Sequence, residues 1–196
     1  PSSGYEYRTR VTYHKKRDLT IYFEFRDENK ETNAPRNDTK LDYIIPERLV
    51  SGRLYIGKKL TKSLELRSRI DVGFSENATE GKGIGTVVMQ DILFKPLGFP
   101  LSFTARFALF DPDGYRIRFY AYENDLLYTF SVPAYYNKGT RYYINLRYRP
   151  DYLRNLTLEF RYAQTYWSNQ NTFGSGLDEI NGQARSEVKA QIKYKF

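Results

Sequence analysis

The sequence predicts an all-β fold, an antiparallel up-and-down transmembrane β-barrel with about ten to twelve strands, in one region spanning residues 1–196. Three observations carry that expectation. Segment after segment alternates apolar and polar residues with the two-residue period that sends strand side chains to opposite faces. The segments run to roughly nine to thirteen residues, which fits a tilted strand crossing a bilayer better than the five or six usual in soluble sheets. The connections also alternate in kind, short turns at one end and longer polar loops at the other.

The last strand orients the rest. Val188, Ala190, Ile192, Tyr194 and Phe196 share one face, and Glu187, Lys189, Gln191, Lys193 and Lys195 share the other. An apolar face ending on an aromatic suits a strand turned to lipid, with the ring at the interface.

From the N-terminus, Tyr5, Tyr7, Thr9, Val11 and Tyr13 alternate with Glu6, Arg8, Arg10, Thr12 and His14. A basic turn at residues 14–18 then leads to Leu19, Ile21, Phe23 and Phe25, and the two strands read as a hairpin. Residues 27–40, polar and broken by Pro35, read as a surface loop, and their exit at 41–46 as re-entering the wall or folding over it. Strands are expected over 49–60, 64–74, 84–94 and 101–109, with a loop at 75–83 and a bulge at Gln90-Asp91, where the alternation is ambiguous. Asp111-Pro112-Asp113-Gly114 is a turn signal. Residues 115–120 and 128–134 are then expected as two further wall strands joined at Asn124-Asp125, with Pro133 tolerated only in a relaxed ladder. Strands over 142–148 and 156–166 follow, and a Gly-, Asn- and Ser-rich loop at 168–185 leads to the last one.

Composition agrees. Aromatics make up 17% of the chain, with Tyr 19 and Phe 13, and such rings fit pleated surfaces. A mean hydropathy of -0.67 is compatible with a barrel, because only alternate residues meet lipid. No run nears the roughly 18 apolar residues of a spanning helix, which excludes a helical membrane protein, and no signal peptide is recognisable. With Cys 0 there are no disulfides or thiolate metal sites, and the length suffices for a core without them. The net charge of +8 allows a polyanionic partner, against the plainer reading of solvated basic loops and lumen.

With Phe196 on the periplasmic side, the turns near residues 15, 61, 97, 124 and 152 are periplasmic, and 27–46, 75–83, 111–114, 137–139 and 168–185 are external. A count of about eleven then starts the first strand at the cell surface, whereas bacterial single-chain barrels have even numbers and both ends inside. Either a strand is missed or split, or the chain is the C-terminal part of a larger barrel; the second is the expectation.

The block Leu158-Glu159-Phe160-Arg161-Tyr162-Ala163-Gln164-Thr165-Tyr166, the loop at 174–182 and the ending at 189–196 resemble the C-terminus of large outer-membrane barrel proteins of the Bacteroidota. Longer members carry helix-hairpin-helix modules similar to competence-type DNA-binding segments. The resemblance is clearest over the last 60 or so residues. It implies a bacterial outer-membrane location and recognition of the terminal strand Val188, Ala190, Ile192, Tyr194 and Phe196 by the barrel-assembly machinery. This chain has no helical hairpin module, so nucleic acid is not an expected partner.

No catalytic constellation is recognisable, and neither an enzyme, a cofactor nor a metal is expected. His14, the only histidine, falls at a strand end, which leaves a Ser-His-Asp triad without a base. Asp111 with Asp113, or Asp178 with Glu179, suits solvated turns better than calcium. Gly81-Lys82-Gly83-Ile84-Gly85 opens no helix and reads as a loop rather than a phosphate cradle. The candidate residues are therefore the charges expected to face the lumen: Arg8, Arg10, Arg26, Arg67, Arg69, Arg106, Arg116, Arg118, Arg147, Arg149, Arg161 and Lys189, with Glu6, Glu24, Glu65, Asp71, Glu159 and Glu187. They suit an anion-preferring pore or a polyanion site, or else a ladder of ion pairs filling the interior.

The functional expectation is a passive or substrate-selective outer-membrane pore, or a membrane scaffold, touching lipid, lipopolysaccharide and other outer-membrane subunits. The alternatives are a client or component of an assembly or secretion complex, docking through its terminal strand, and a soluble all-β module binding glycan or nucleic acid.

Overall fold

The computed structural model describes residues 3–34, 43–78, 81–153, 155–174 and 176–196. Among the described residues thirteen strands occur in chain order: β1 (Gly4–Lys15), β2 (Leu19–Asn33), β3 (Ile44–Lys59), β4 (Leu64–Asn77), β5 (Gly81–Phe94), β6 (Leu101–Phe110), β7 (Phe119–Tyr120), β8 (Ala134–Tyr135), β9 (Gly139–Tyr148), β10 (Leu156–Trp167), β11 (Thr172–Phe173), β12 (Ile180–Asn181) and β13 (Ala184–Tyr194). Nine of them form one antiparallel sheet in the order β1-β2-β3-β4-β5-β6-β9-β10-β13. The all-β, up-and-down expectation holds at that level. The sheet does not close, because β1 and β13 are its two edges and do not pair with each other.

Alternation sorts the two faces. Along β5 the side chains of Val87, Met89 and Asp91 are buried, while Ile84, Val88 and Ile92 are exposed. On β6 Ala108 and Phe110 are buried while Phe107 and Leu109 are exposed. The mainly apolar face thus points outward and the charged face inward, as the strand periodicity implies.

The bulge expected at Gln90-Asp91 is absent. The β4–β5 register runs unbroken from Leu64↔Phe94 to Asn77↔Gly81. Gln90 keeps its outward position because its cross-strand partner Ser68 donates to its amide oxygen at 2.6 Å, so a polar side chain is satisfied within the ladder. The loop expected at 75–83 is also shorter, since β4 continues to Asn77 and β5 begins at Gly81. Residues 27–33 likewise belong to β2 rather than to a loop, and Ile44–Pro46 belongs to β3. The rest of that expected loop and its exit, residues 35–42, lies outside the described residues.

The main departure from the expected topology is at residues 111–138. These do not add two strands to the wall. They fold as a short hairpin in which Phe119 pairs with Tyr135 and Tyr120 with Ala134, extended by a bridge between Glu123 and Ser131. β6 then pairs directly with β9. Subtracting two from the expected eleven leaves the nine strands of the sheet, an odd number still. The main apolar core lies between this hairpin and the inner face, where Ile117, Phe119, Ala121 and Tyr135 meet Val87, Met89, Ala108 and Phe110.

Candidate functional site

The inserted hairpin begins as an extension along β5. Asp111 and Asp113 donate backbone hydrogen bonds to Thr86 and Ile84, and the Asp113 carboxylate accepts from the Ile84 amide at 2.9 Å. Gly114 then turns with φ +77°, a conformation open to glycine without strain. Ile117 and Phe119 descend onto a floor of glycines. A Cβ at Gly73 would lie 2.9 Å from the Phe119 ring, at Gly83 2.7 Å from Ile117, and at Gly85 2.8 Å from Ile117 and 3.1 Å from both Phe119 and Pro112. Gly73 and Gly85 are cross-strand partners, so they form one flat patch. The Gly81-Lys82-Gly83-Ile84-Gly85 run is therefore the start of β5, with its inward glycines serving as a packing slot.

The hairpin is held at its far end by charge. Glu123, fully buried, accepts from Arg141 at 2.7 and 2.8 Å, from Arg161, and from the Tyr135 hydroxyl at 3.1 Å. Asp125 accepts from Lys189 at 2.8 Å and lies 3.7 Å from Arg161. Arg161 also donates to the Asn124 carbonyl, lies 3.5 Å from Glu187, and stacks 4.6 Å from the centre of the Tyr143 ring. With Arg147 paired to Glu159, four cations here face four carboxylates: Arg141, Arg147, Arg161 and Lys189 against Glu123, Asp125, Glu159 and Glu187. Such balance is what a buried ionic cluster requires, because removing one partner would strand the other charge. Burial alone would raise the Glu123 carboxyl, but the hydrogen bonds and charges of Arg141 and Arg161 outweigh it and hold the group below the usual range. Burial and the Lys189 ammonium oppose each other in the same way at Asp125, with the same net direction. The hydroxyl of Tyr135 is pushed up by burial.

Most of the expected lumen charges fall into three groups, with Arg116, Arg118 and Arg149 outside them. Arg161, Glu187 and Lys189 converge on the hairpin, and Arg147 pairs with Glu159 beside them, next to a cavity of about 430 Å³ under the hairpin tip. Three more pair locally on the inner face: Arg67 with Glu65, Arg69 with Asp71, and Arg106 with Asp91 at 2.7 Å. Arg69 and Arg106 also reach the hairpin carbonyls of Tyr120 and Tyr122. Arg8, Arg10 and Arg26 line a cleft on the side of the first strands, with Glu6 and Glu24 as partners. Arg116 and Arg118 sit on the inserted hairpin rather than on a wall strand, and Arg149 lies in the exposed turn after β9. Val188, Ala190, Ile192 and Tyr194 occupy the exposed outer side of edge strand β13, with Phe196 just beyond it.

Glu123, Asp125 and Arg141 were not among the expected site residues. Arg141 continues the inward series Tyr143, Asn145 and Arg147 by one step, a signal present in the alternation. Glu123 has no local charge signal, because its two arginine partners are 18 and 38 residues away. Among the described residues no group of acidic or histidine side chains could hold a metal ion. Asp111 instead pairs with Lys138 at 2.8 Å. The side chain of Asp178 lies outside the described residues. No helix among the described residues is long and apolar enough to cross a membrane, which says nothing of crossing by strands. Comparison with protein families, with curated proteins and with solved structures finds no match for this chain.

Proposed function

We propose that this chain forms part of the wall of a bacterial outer-membrane β-barrel, with residues 111–138 folded inside it as a plug, and that it serves as a passive or substrate-selective conduit or as a membrane scaffold. One observation carries the reading. Val11, Phe23, Leu54, Ile70, Val88 and Leu109 are successive cross-strand partners across six strands, and all are exposed on the outer face, from 40% to 67%. Fully removing such a side chain from water is worth about 1.5–3 kcal/mol, and these six are on average about half exposed, so this row alone forgoes about 4–9 kcal/mol in water. That is comparable to the whole stability of an ordinary domain, and a lipid-facing surface recovers it. The charges, on the opposite face, are where a membrane wall tolerates them.

The unpaired edges of β1 and β13 favour a partner that supplies strands, either in the same barrel or from an assembly complex. The test is extraction and gel migration of the full chain. Recovery only in detergent, with faster migration before boiling than after, is the expected result. A monodisperse chain in plain buffer would instead point to a soluble binding module.

A further inference from the structure

We propose that the cleft between the first three strands and the inserted hairpin binds a multivalent oxyanion; the proposal rests on the reading of this face as the interior of a membrane wall. Two adjoining cavities of about 300 and 240 Å³ open there, and Arg26, Leu49, Arg118 and Tyr120 line both. Arg8, Arg10 and Arg26 enter from the first hairpin, Arg53 from β3, and Arg116 and Arg118 from the plug.

Charge arithmetic separates this cleft from the rest of the inner face. Among the described residues, with Lys30 it has seven cations against three lining carboxylates, Glu24, Glu28 and Glu47, an excess of four. Glu6 and Asp71, which pair with Arg26 and Arg53 from outside the cavities, add two negative charges, and Arg69, which shares Asp71, adds one positive, leaving an excess of three among the described residues. The hairpin's far end, by contrast, balances four against four.

Arg118 concentrates the imbalance. Its Nε donates to the Tyr120 hydroxyl at 2.6 Å, its Nη1 to the Tyr115 carbonyl at 3.1 Å, and its guanidinium lies 4.3 Å from the centre of the Tyr115 ring. Among the described residues it has no carboxylate partner, and its Nη2 makes no hydrogen bond. An arginine held in place by aromatic rings, with donors left over and both cavities before it, is preorganised for an anion whose oxygens match its planar fork. A positive excess spread across two cavities suits an anion with more than one charged group.

The experiment titrates inorganic pyrophosphate into the full chain in detergent micelles by calorimetry, comparing the native protein with Arg118→Gln and with Lys138→Gln. Lys138 pairs with Asp111 at the exposed base of the hairpin, so its loss removes the same charge away from the cleft. Binding by the native chain, weakened about tenfold or more in Arg118→Gln and unchanged in Lys138→Gln, is the expected result. Equal affinity in the native chain and Arg118→Gln, with matching heat-modifiable migration, overturns the site. So does a native chain that migrates as a folded barrel protein yet gives no heat of binding, and that outcome leaves the membrane reading standing. A chain that needs no detergent removes the membrane reading itself.

Discussion

Gly85 shows at the smallest scale how the wall makes room for what lies against it. Its missing side chain admits Ile117, Phe119 and Pro112, all within 3.1 Å of where a Cβ would stand. Ile117 and Phe119 are themselves buried, so neither has space to retreat. Gly85→Ala is therefore expected to destabilise the chain by about 1–3 kcal/mol, the usual cost of overpacking, as measured by denaturant unfolding in micelles. Ile117→Ala in the same chain should recover part of that loss, because the two changes share one volume. Independent, additive losses would place Ile117 elsewhere. The glycines were visible in the sequence, but their purpose was not. A two-residue glycine spacing says that one face is flat, and only the folded chain says what lies on it.

At the scale of elements, the nine sheet strands were legible because most of them carry a long alternation, weaker over 49–60 and ambiguous around Gln90-Asp91, and that alternation also grouped most of the charges on one face of the sheet. The inserted hairpin was misassigned for a physical reason. Residues 115–120 alternate as a wall strand would, since a hairpin lying on the inner face also needs one apolar side, here Ile117 and Phe119. Its short paired runs and Pro133 were the distinguishing signals. The ionic lock on this element sets its pH dependence. Glu123 and Asp125 are held below the usual carboxylate range, so their contribution is fully present above the unfolded-state value of about 4 and is lost as pH falls through the lowered folded value. Hydrogen exchange of residues 115–135 is expected to show steady protection from pH 7 down to about 5, and release of the hairpin only in acid below the ordinary carboxylate range. Release near neutral pH would contradict the lock.

For the molecule as a whole, nine antiparallel strands leave β1 and β13 running in the same direction. Direct pairing between them would be parallel, so an antiparallel ring containing this sheet needs an odd number of further strands between the two edges. The sequence had exposed this parity, because dropping two strands from the expected eleven preserves an odd count. The central claim is that the outer face of this sheet meets lipid while the hairpin and charges stay within. The chain has Cys 0, so single cysteines can be introduced without background. The most direct measurement places a spin label in turn at residues 86 to 92 of β5 in the bilayer-reconstituted protein and compares its accessibility to oxygen, which partitions into lipid, with that to a water-soluble nickel chelate. The expected result is a two-residue oscillation, oxygen-accessible at Thr86, Val88 and Ile92 and shielded at Val87, Met89 and Asp91. Free access of the nickel reagent to the label at Val88, equal to that at exposed Lys138, would contradict it.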